Sequence, residues 1–391
     1  MNTDLIFDNT EIAFSLKSDS ELERAYFLFK MISIEPLVRI GTVATNFAIK
    51  AHLPVEGLIR ATVFDHFCGG INEQDCLPVI DNMFEKGVCS VLDYSVEGKA
   101  NEKEFDDAKS KIIDIINFAK SKKAMPIAVF KPTGIGRLEL YEKVSSKVEL
   151  NQKEQAEWDR IKNRYEAICQ KAKDSNIAVL IDAEESWMQD AADELVSHLM
   201  QKYNTEKPVV YNTLQMYRHD RLAFLENEHQ KAKGLNYFLG YKLVRGAYME
   251  KENERAKEKG YATPICKSKY ATDENFNAAL RYIMANLDCI SLFAGTHNED
   301  SSYLLMQLMK QQGIKNNDPR VWFAQLYGMS DHISFNLSYK GYNVAKYVPF
   351  GPVKDVMPYL IRRAEENTSV AGQTGRELAL LTKEKKRRKN L

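Results

Sequence analysis

The chain has 391 residues, long for one ordinary domain but enough for a single α/β barrel with extensions. Its 44% hydrophobic content describes a globular protein with a sizeable core, and 54 Lys+Arg against 54 Asp+Glu exclude the basic balance of a nucleic-acid binder. No apolar run is long enough to span a bilayer, and the N-terminus has neither a secretory signal pattern nor an Arg-rich transit pattern. The six cysteines are scattered without C-x-x-C, so reduced thiols in a cytoplasmic protein, with no structural metal, are expected.

Residues 1–85 read as helices. SDSELERAYFLFKMIS opens on Ser and Asp cap candidates, and EPLVRIGTVATNFAIKAH follows with Pro36 near its first turn. From Val88 the rhythm changes to short β-branched or apolar runs, each followed by a longer amphipathic segment. The runs are 88–95, 126–133, 177–184, 208–217, 241–248, 291–298, 321–329 and 344–351. In the segment between the first two, Phe105, Ala108, Ile112, Ile115 or Ile116 and Ala119 recur at helical spacing on one face. Nearly continuous apolar strands alternating with such helices indicate a parallel sheet covered on its outside. Eight repeats close most naturally into a (β/α)8 TIM-like barrel over 86–375. A doubly wound open sheet is the alternative, but no G-x-G-x-x-G follows any strand. The charged connection 134–176 reads as an insertion. The basic stretch 376–391 reads as a solvated, frayed tail or as a weak attraction to an anionic membrane.

Sites of such barrels form where the strands end. Those ends carry Lys131, Asp182, Gln215, Arg245 with Tyr248, then Thr296, His297 and Asn298, Gln325 and Leu326, and Tyr347. Each has a structural reading of its own, but their accumulation at one end is hard to explain that way. After the eighth run, Tyr359, Arg362, Arg363 and Glu366 fall at i, i+3, i+4 and i+7 on one helical face. Two adjacent guanidiniums make a fork for a carboxylate, with Glu366 placed to hold one of them. Alone, the pattern would be a solvated helix surface; after an eighth strand it points to an anion clamp over the barrel mouth.

The Y-x-x-R-R-x-x-E run from Tyr359 to Glu366, with LIDAEE, KLVRGAYM, GTHN, FAQLYGM and YVPFG in order before it, resembles the proline dehydrogenase family over about 85–375. KLVRGAYM is most similar to the mitochondrial-type branch and its bacterial relatives. The resemblance implies a distorted barrel that holds FAD without a Rossmann domain and oxidises L-proline to Δ1-pyrroline-5-carboxylate by hydride transfer from C5. It implies that Arg362 and Arg363 bind the substrate carboxylate and that Glu366 orients them. Lys131, Asp182, Tyr248, Leu326, Tyr347 and Tyr359 would wall the pocket. Ala183, Gln215, Arg245, Gly246, Ala247, Thr296, His297, Asn298 and Gln325 would hold the flavin. Lys242 would stand near flavin N5, where many bacterial members carry Arg; lysine cannot reproduce a forked contact. Lys131, Asp182 and Arg245 are the catalytic candidates, and a Lys131–Asp182 pair would either tune substrate deprotonation or be a structural ion pair. The resemblance also implies a membrane quinone as acceptor, a peripheral encounter with the inner face of the membrane, and a separate pyrroline-5-carboxylate dehydrogenase downstream. From the length, no fused one is expected after residue 375. Hydroxyproline is the closest rival substrate, disfavoured by Tyr347. Other readings are a barrel aldolase with Lys131 or Lys242 as its Schiff-base lysine, and an inactive relative that acts by binding.

Overall fold

The computed structural model describes residues 5–34, 36, 38, 41, 56–94, 100–369 and 371–390, the side chains at 58, 61, 364–369 and 371–373 excepted. All eight expected strands are present: β1 (Val88–Tyr94), β2 (Ile127–Phe130), β3 (Ala178–Ile181), β4 (Val210–Gln215), β5 (Leu239–Val244), β6 (Ile290–Gly295), β7 (Val321–Leu326) and β8 (Val344–Phe350). They form one parallel sheet in the order β1-β8-β7-β6-β5-β4-β3-β2, a nearly closed (β/α)8 barrel with surrounding helices. The strands are almost wholly buried along their length, which is why they read as apolar runs without alternation. Packing inside can be read from single contacts. Gly240 leaves room for the Tyr211 ring, which a Cβ there would meet at 2.6 Å. Thr213 turns its hydroxyl to the Ile181 carbonyl at 2.7 Å.

The helices form where periodicity and caps coincide. In Glu102–Ala119 the buried positions are Phe105, Ala108, Ile112, Ile115, Ile116 and Ala119, the expected face. Ser18 and Glu21 make a reciprocal capping box at the start of Asp19–Ile32, satisfying two otherwise orphan donors. Asn176 and Asn236 end the helices before β3 and β5 in the left-handed conformation that asparagine tolerates best after glycine. The connection 134–176 is less of an insertion than its length suggests. Gln152–Ser175 is the ordinary crossover helix from β2 to β3, and only Leu138–Ser145 is additional. Nearly all of the segment with Pro36 lies outside the described residues.

By internal contacts the chain divides into two compact units, Met1–Glu97 with Gln325–Leu391, and Gly98–Ala324. In the first, the basic C-terminal stretch is no frayed tail: Ala371–Lys389 is helical. Leu380 and Leu381 pack with Phe14, Leu22 and Phe29. Arg388 donates to the carboxylates of Asp19 and Glu384, each at 2.8 Å, and Lys385 pairs with Glu23 at 2.6 Å. Asp19 and Glu23 lie more than 350 positions earlier in the chain, so most of the run looked unpaired in sequence. Among the described residues no helix is long and apolar enough to cross a membrane.

Candidate active site

In the unit Gly98–Ala324, the residues that follow the strands bring charges together. Lys131 stands one position after β2 and Asp182 one after β3, and Lys131 Nζ donates to Asp182 Oδ2 at 3.2 Å. From the middle of β5, Lys242 Nζ donates to Asp182 Oδ1 at 2.5 Å. The carboxylate is therefore bridged by two ammoniums, with all three side chains largely out of solvent. Burial would raise the Asp182 carboxyl, but Lys242 and Lys131 outweigh it and hold it below the ordinary carboxylate range. The expected pair exists, and the second lysine, assigned from the resemblance to the cofactor, shares its carboxylate. An ionised neighbour also favours the ammonium form of each lysine, which is the wrong form for a Schiff-base nucleophile.

Beside this cluster, Gln215 ends β4 and bridges two neighbours. Its amide nitrogen donates to the Glu184 carbonyl at 2.6 Å, and its carbonyl accepts from Ala247 N at 3.2 Å. Arg245, one position after β5, uses all three nitrogens within the protein: Nε to Asp273 at 2.7 Å, one terminal nitrogen to the Thr296 hydroxyl at 2.7 Å, the other to Ser301 at 3.0 Å. Its guanidinium also stacks 4.6 Å from the Phe276 ring centroid. Asn298 caps the helix Glu299–Gln311 by accepting from Ser301 N at 2.8 Å, and Asn298 N donates to the Thr296 hydroxyl. Tyr248 is the N-cap position of Met249–Lys259, and Ala183 and His297 are half-buried beside the strand ends.

Gly246 has φ +134°, and a Cβ there would lie 2.5 Å from the Tyr217 ring. With Ala247 it leaves exposed backbone bare of any side chain larger than methyl, beside cationic Arg245. Small residues for close approach, next to amide, hydroxyl and guanidinium donors, are the chemistry that a large planar cofactor with an anionic tail needs, so the residues fit a flavin. Gly246→Ala should cost the fold about 1–3 kcal/mol in backbone strain, with the ring clash added. Gly260→Ala, at φ +73° with nothing within 4 Å, is the control for strain without a clash. Comparing their melting temperatures checks this; equal losses would mean that Tyr217 yields freely.

In the other unit, Tyr347 lies mid-strand in β8, in register with Val91, and not at the strand's end as expected. It is buried, as is Tyr359 on the helix Val353–Ser369. The Arg363 guanidinium lies 5.4 Å from the Tyr359 ring centroid, while Arg362 is half-buried and Arg363 buried. The side chain of Glu366 lies outside the described residues. Gln325 and Leu326 are the last two residues of β7, and Gln325 accepts from the Ser334 hydroxyl at 2.7 Å.

Sequence reasoning missed two residues that hold the site's side chains, and one buried ion-pair cluster elsewhere. Glu184, inside LIDAEE, accepts from Thr133 N and from the Thr133 hydroxyl. Asp273, which steers Arg245, sits in a helix with nothing local to mark it. In the unit with the terminal segments, fully buried Lys346 pairs with Asp331 at 2.8 Å, which also pairs with Lys17 at 3.1 Å. A lysine inside an apolar strand was the available signal there.

A nearly closed parallel barrel with charged and amide groups gathered where its strands end is the arrangement of a (β/α)8-barrel enzyme. The family model for proline dehydrogenase matches residues 76–376. Among curated proteins, the chain is 34% identical over 333 residues to the carbapenem antibiotics biosynthesis protein CarD of Pectobacterium carotovorum subsp. carotovorum, covering 85% of this chain and 86% of that one. It is 31% identical to proline dehydrogenase 1, mitochondrial, of Dictyostelium discoideum, covering 99% and 76%. Among solved structures, proline utilization A from Bdellovibrio bacteriovorus, inactivated by N-propargylglycine, superposes with a TM-score of 0.72 at 19% identity. That likeness, one of fold, covers 95% of this chain and 40% of that longer chain. The chain belongs to the proline dehydrogenase family and is a flavin-dependent proline oxidoreductase.

Proposed function

We propose that the chain oxidises L-proline at C5 to Δ1-pyrroline-5-carboxylate, with FAD as its flavin. The observation that supports this most is the two-lysine cluster on Asp182, built from the ends of β2 and β3 and the middle of β5 in a family barrel whose helix after β8 carries Arg362 and Arg363. FAD, when bound, supplies a two-electron acceptor for the hydride. Ala183, Gln215, Lys242, Arg245, Gly246, Ala247, Thr296, His297, Asn298 and Gln325 would hold it. Arg245, with its three nitrogens tied to Asp273, Thr296 and Ser301, offers a fixed positive charge.

In this reading Arg362 and Arg363 receive the proline carboxylate, with Glu366 steering them, and Lys131 adds positive charge to the pocket. Asp182, kept ionised by its lysines, is a poor proton acceptor. Its role is to fix Lys131 and Lys242, and the amine proton passes to solvent before hydride transfer begins. Tyr248, Leu326, Tyr347 and Tyr359 give the ring apolar walls and exclude water. A membrane quinone takes the electrons onward, reached by peripheral contact from the cytoplasmic side, and a separate pyrroline-5-carboxylate dehydrogenase consumes the product.

The test is the visible spectrum of the purified protein before and after anaerobic addition of L-proline. A flavin band that bleaches with proline, and only slowly with hydroxyproline, is expected. Bleaching by hydroxyproline alone would move the substrate. A protein that neither binds FAD nor reacts would overturn the reading.

A further inference from the structure

The segments after β2 and β3 are tied together twice. Lys131 pairs with Asp182, and two positions further along each segment Thr133 is bound to Glu184. Thr133 N donates to Glu184 Oε2 at 2.8 Å and the Thr133 hydroxyl to Oε1 at 2.6 Å, so both carboxylate oxygens are used by one residue. The main chain of Glu184 is anchored independently. Its N–H donates to the Gln189 side chain at 2.9 Å and its carbonyl accepts from Gln215 at 2.6 Å. Glu184 is therefore a fixed post, and the segment Pro132–Gly134 is what it holds.

We propose that Glu184 is a positioning residue for the oxidation: in its ionised form it holds the segment after β2 so that Lys131 stays on Asp182. The proposal rests on the reading of Lys131 as a substrate-pocket residue and adds a group that this reading does not use. The hold depends on charge. An ionised carboxylate accepting two hydrogen bonds makes each of them roughly twice as strong as a neutral acid would. Glu184 is only 5% exposed. Burial raises its carboxyl, against the pull of Thr133, to about 7. The groups that act on it are Lys131 and Thr133 from the segment after β2, Glu185 from its own, and the Tyr141 and Tyr165 hydroxyls from the two helices that follow β2. The tyrosines stay neutral, because burial lifts both phenols well above their ordinary value. Around neutral pH the titrating group of this set is Glu184, and acid weakens the hold.

Glu184→Gln keeps the shape and mimics the protonated acid. It should raise the KM for proline about three- to tenfold, the worth of one ordinary hydrogen bond, with kcat moved less. It should also remove the neutral-pH inflection in KM expected of the wild type. Thr133→Val should reproduce the KM effect and Thr133→Ser should not. The second readout needs no substrate: amide protection factors across 131–135, which remove the intrinsic pH dependence of exchange, should be high in the wild type at pH 8, lower at pH 6, and low at both in Glu184→Gln. A pH-independent wild type, or a variant that keeps the wild-type exchange and KM profiles, overturns the proposal. Exchange that behaves as expected in a protein that does not oxidise proline would leave Glu184 as the post and overturn the substrate assignment instead.

Discussion

Asp182→Ala should unfold the protein at markedly lower denaturant concentration, a loss of about 3–5 kcal/mol, and abolish proline oxidation in what remains folded. The alanine takes from Lys131 and Lys242 the carboxylate they share, in a place where the Lys242 side chain is only 7% exposed. Removing one partner of a buried ion pair costs far more than the pair contributed, because the orphan charge remains. The sign with pH follows from the lowered carboxyl. Its stabilisation is present above the unfolded value near 3.8 and is lost only as pH falls through the lower folded value. Wild type and variant should therefore differ most at neutral pH and converge in strong acid. Urea melts at pH 7 and pH 3 check this; equal midpoints at pH 7 would show that the carboxylate carries no such load.

Arg362→Ala and Arg363→Ala should each lower kcat/KM for proline about ten- to a hundredfold, mostly through KM. Charge-assisted hydrogen bonds to a carboxylate are worth about 1.5–3 kcal/mol apiece. Lysine at either place should restore little, since a point charge cannot make the forked contact. The double variant should lose more than the sum of the two single losses, because after either single change the remaining guanidinium still attracts the anion. Arg363, buried with its guanidinium 5.4 Å from the Tyr359 ring centroid, is the better fixed of the two and should show the larger effect. Steady-state kinetics with proline, and binding of a non-oxidisable cyclic carboxylate, separate affinity from turnover. Variants with unchanged half-saturation would remove the clamp.

The barrel was legible in sequence because it is made of local patterns. Each strand is an apolar run of four to seven residues, buried along nearly all its length, and each crossover helix shows its stripe at 3–4 residue spacing. The strand ends were legible for the same reason, as polar residues closing apolar runs. Tyr347 was placed wrongly because periodicity locates a strand better than its last residue. The crossover helix Gln152–Ser175 looked like an insertion because a short helix preceding it stretched the connection.

What the sequence by itself determined was the kind of element at each place, the number of strands, the family and the side chains on offer to a site. Those follow from periodicities of two and 3.6 residues and from motifs only a few positions long. Only the tertiary structure decided who pairs with whom. Asp182 reaches a lysine 51 positions before it and another 60 after, Arg245 spends its donors on residues 28, 51 and 56 positions away, and Lys385 and Arg388 of the basic C-terminal stretch reach Glu23 and Asp19 near the other end of the chain. The physical reason is that Coulomb attraction and hydrogen bonding act over a few ångströms of space, and no local pattern records which distant residue the fold will bring within that distance.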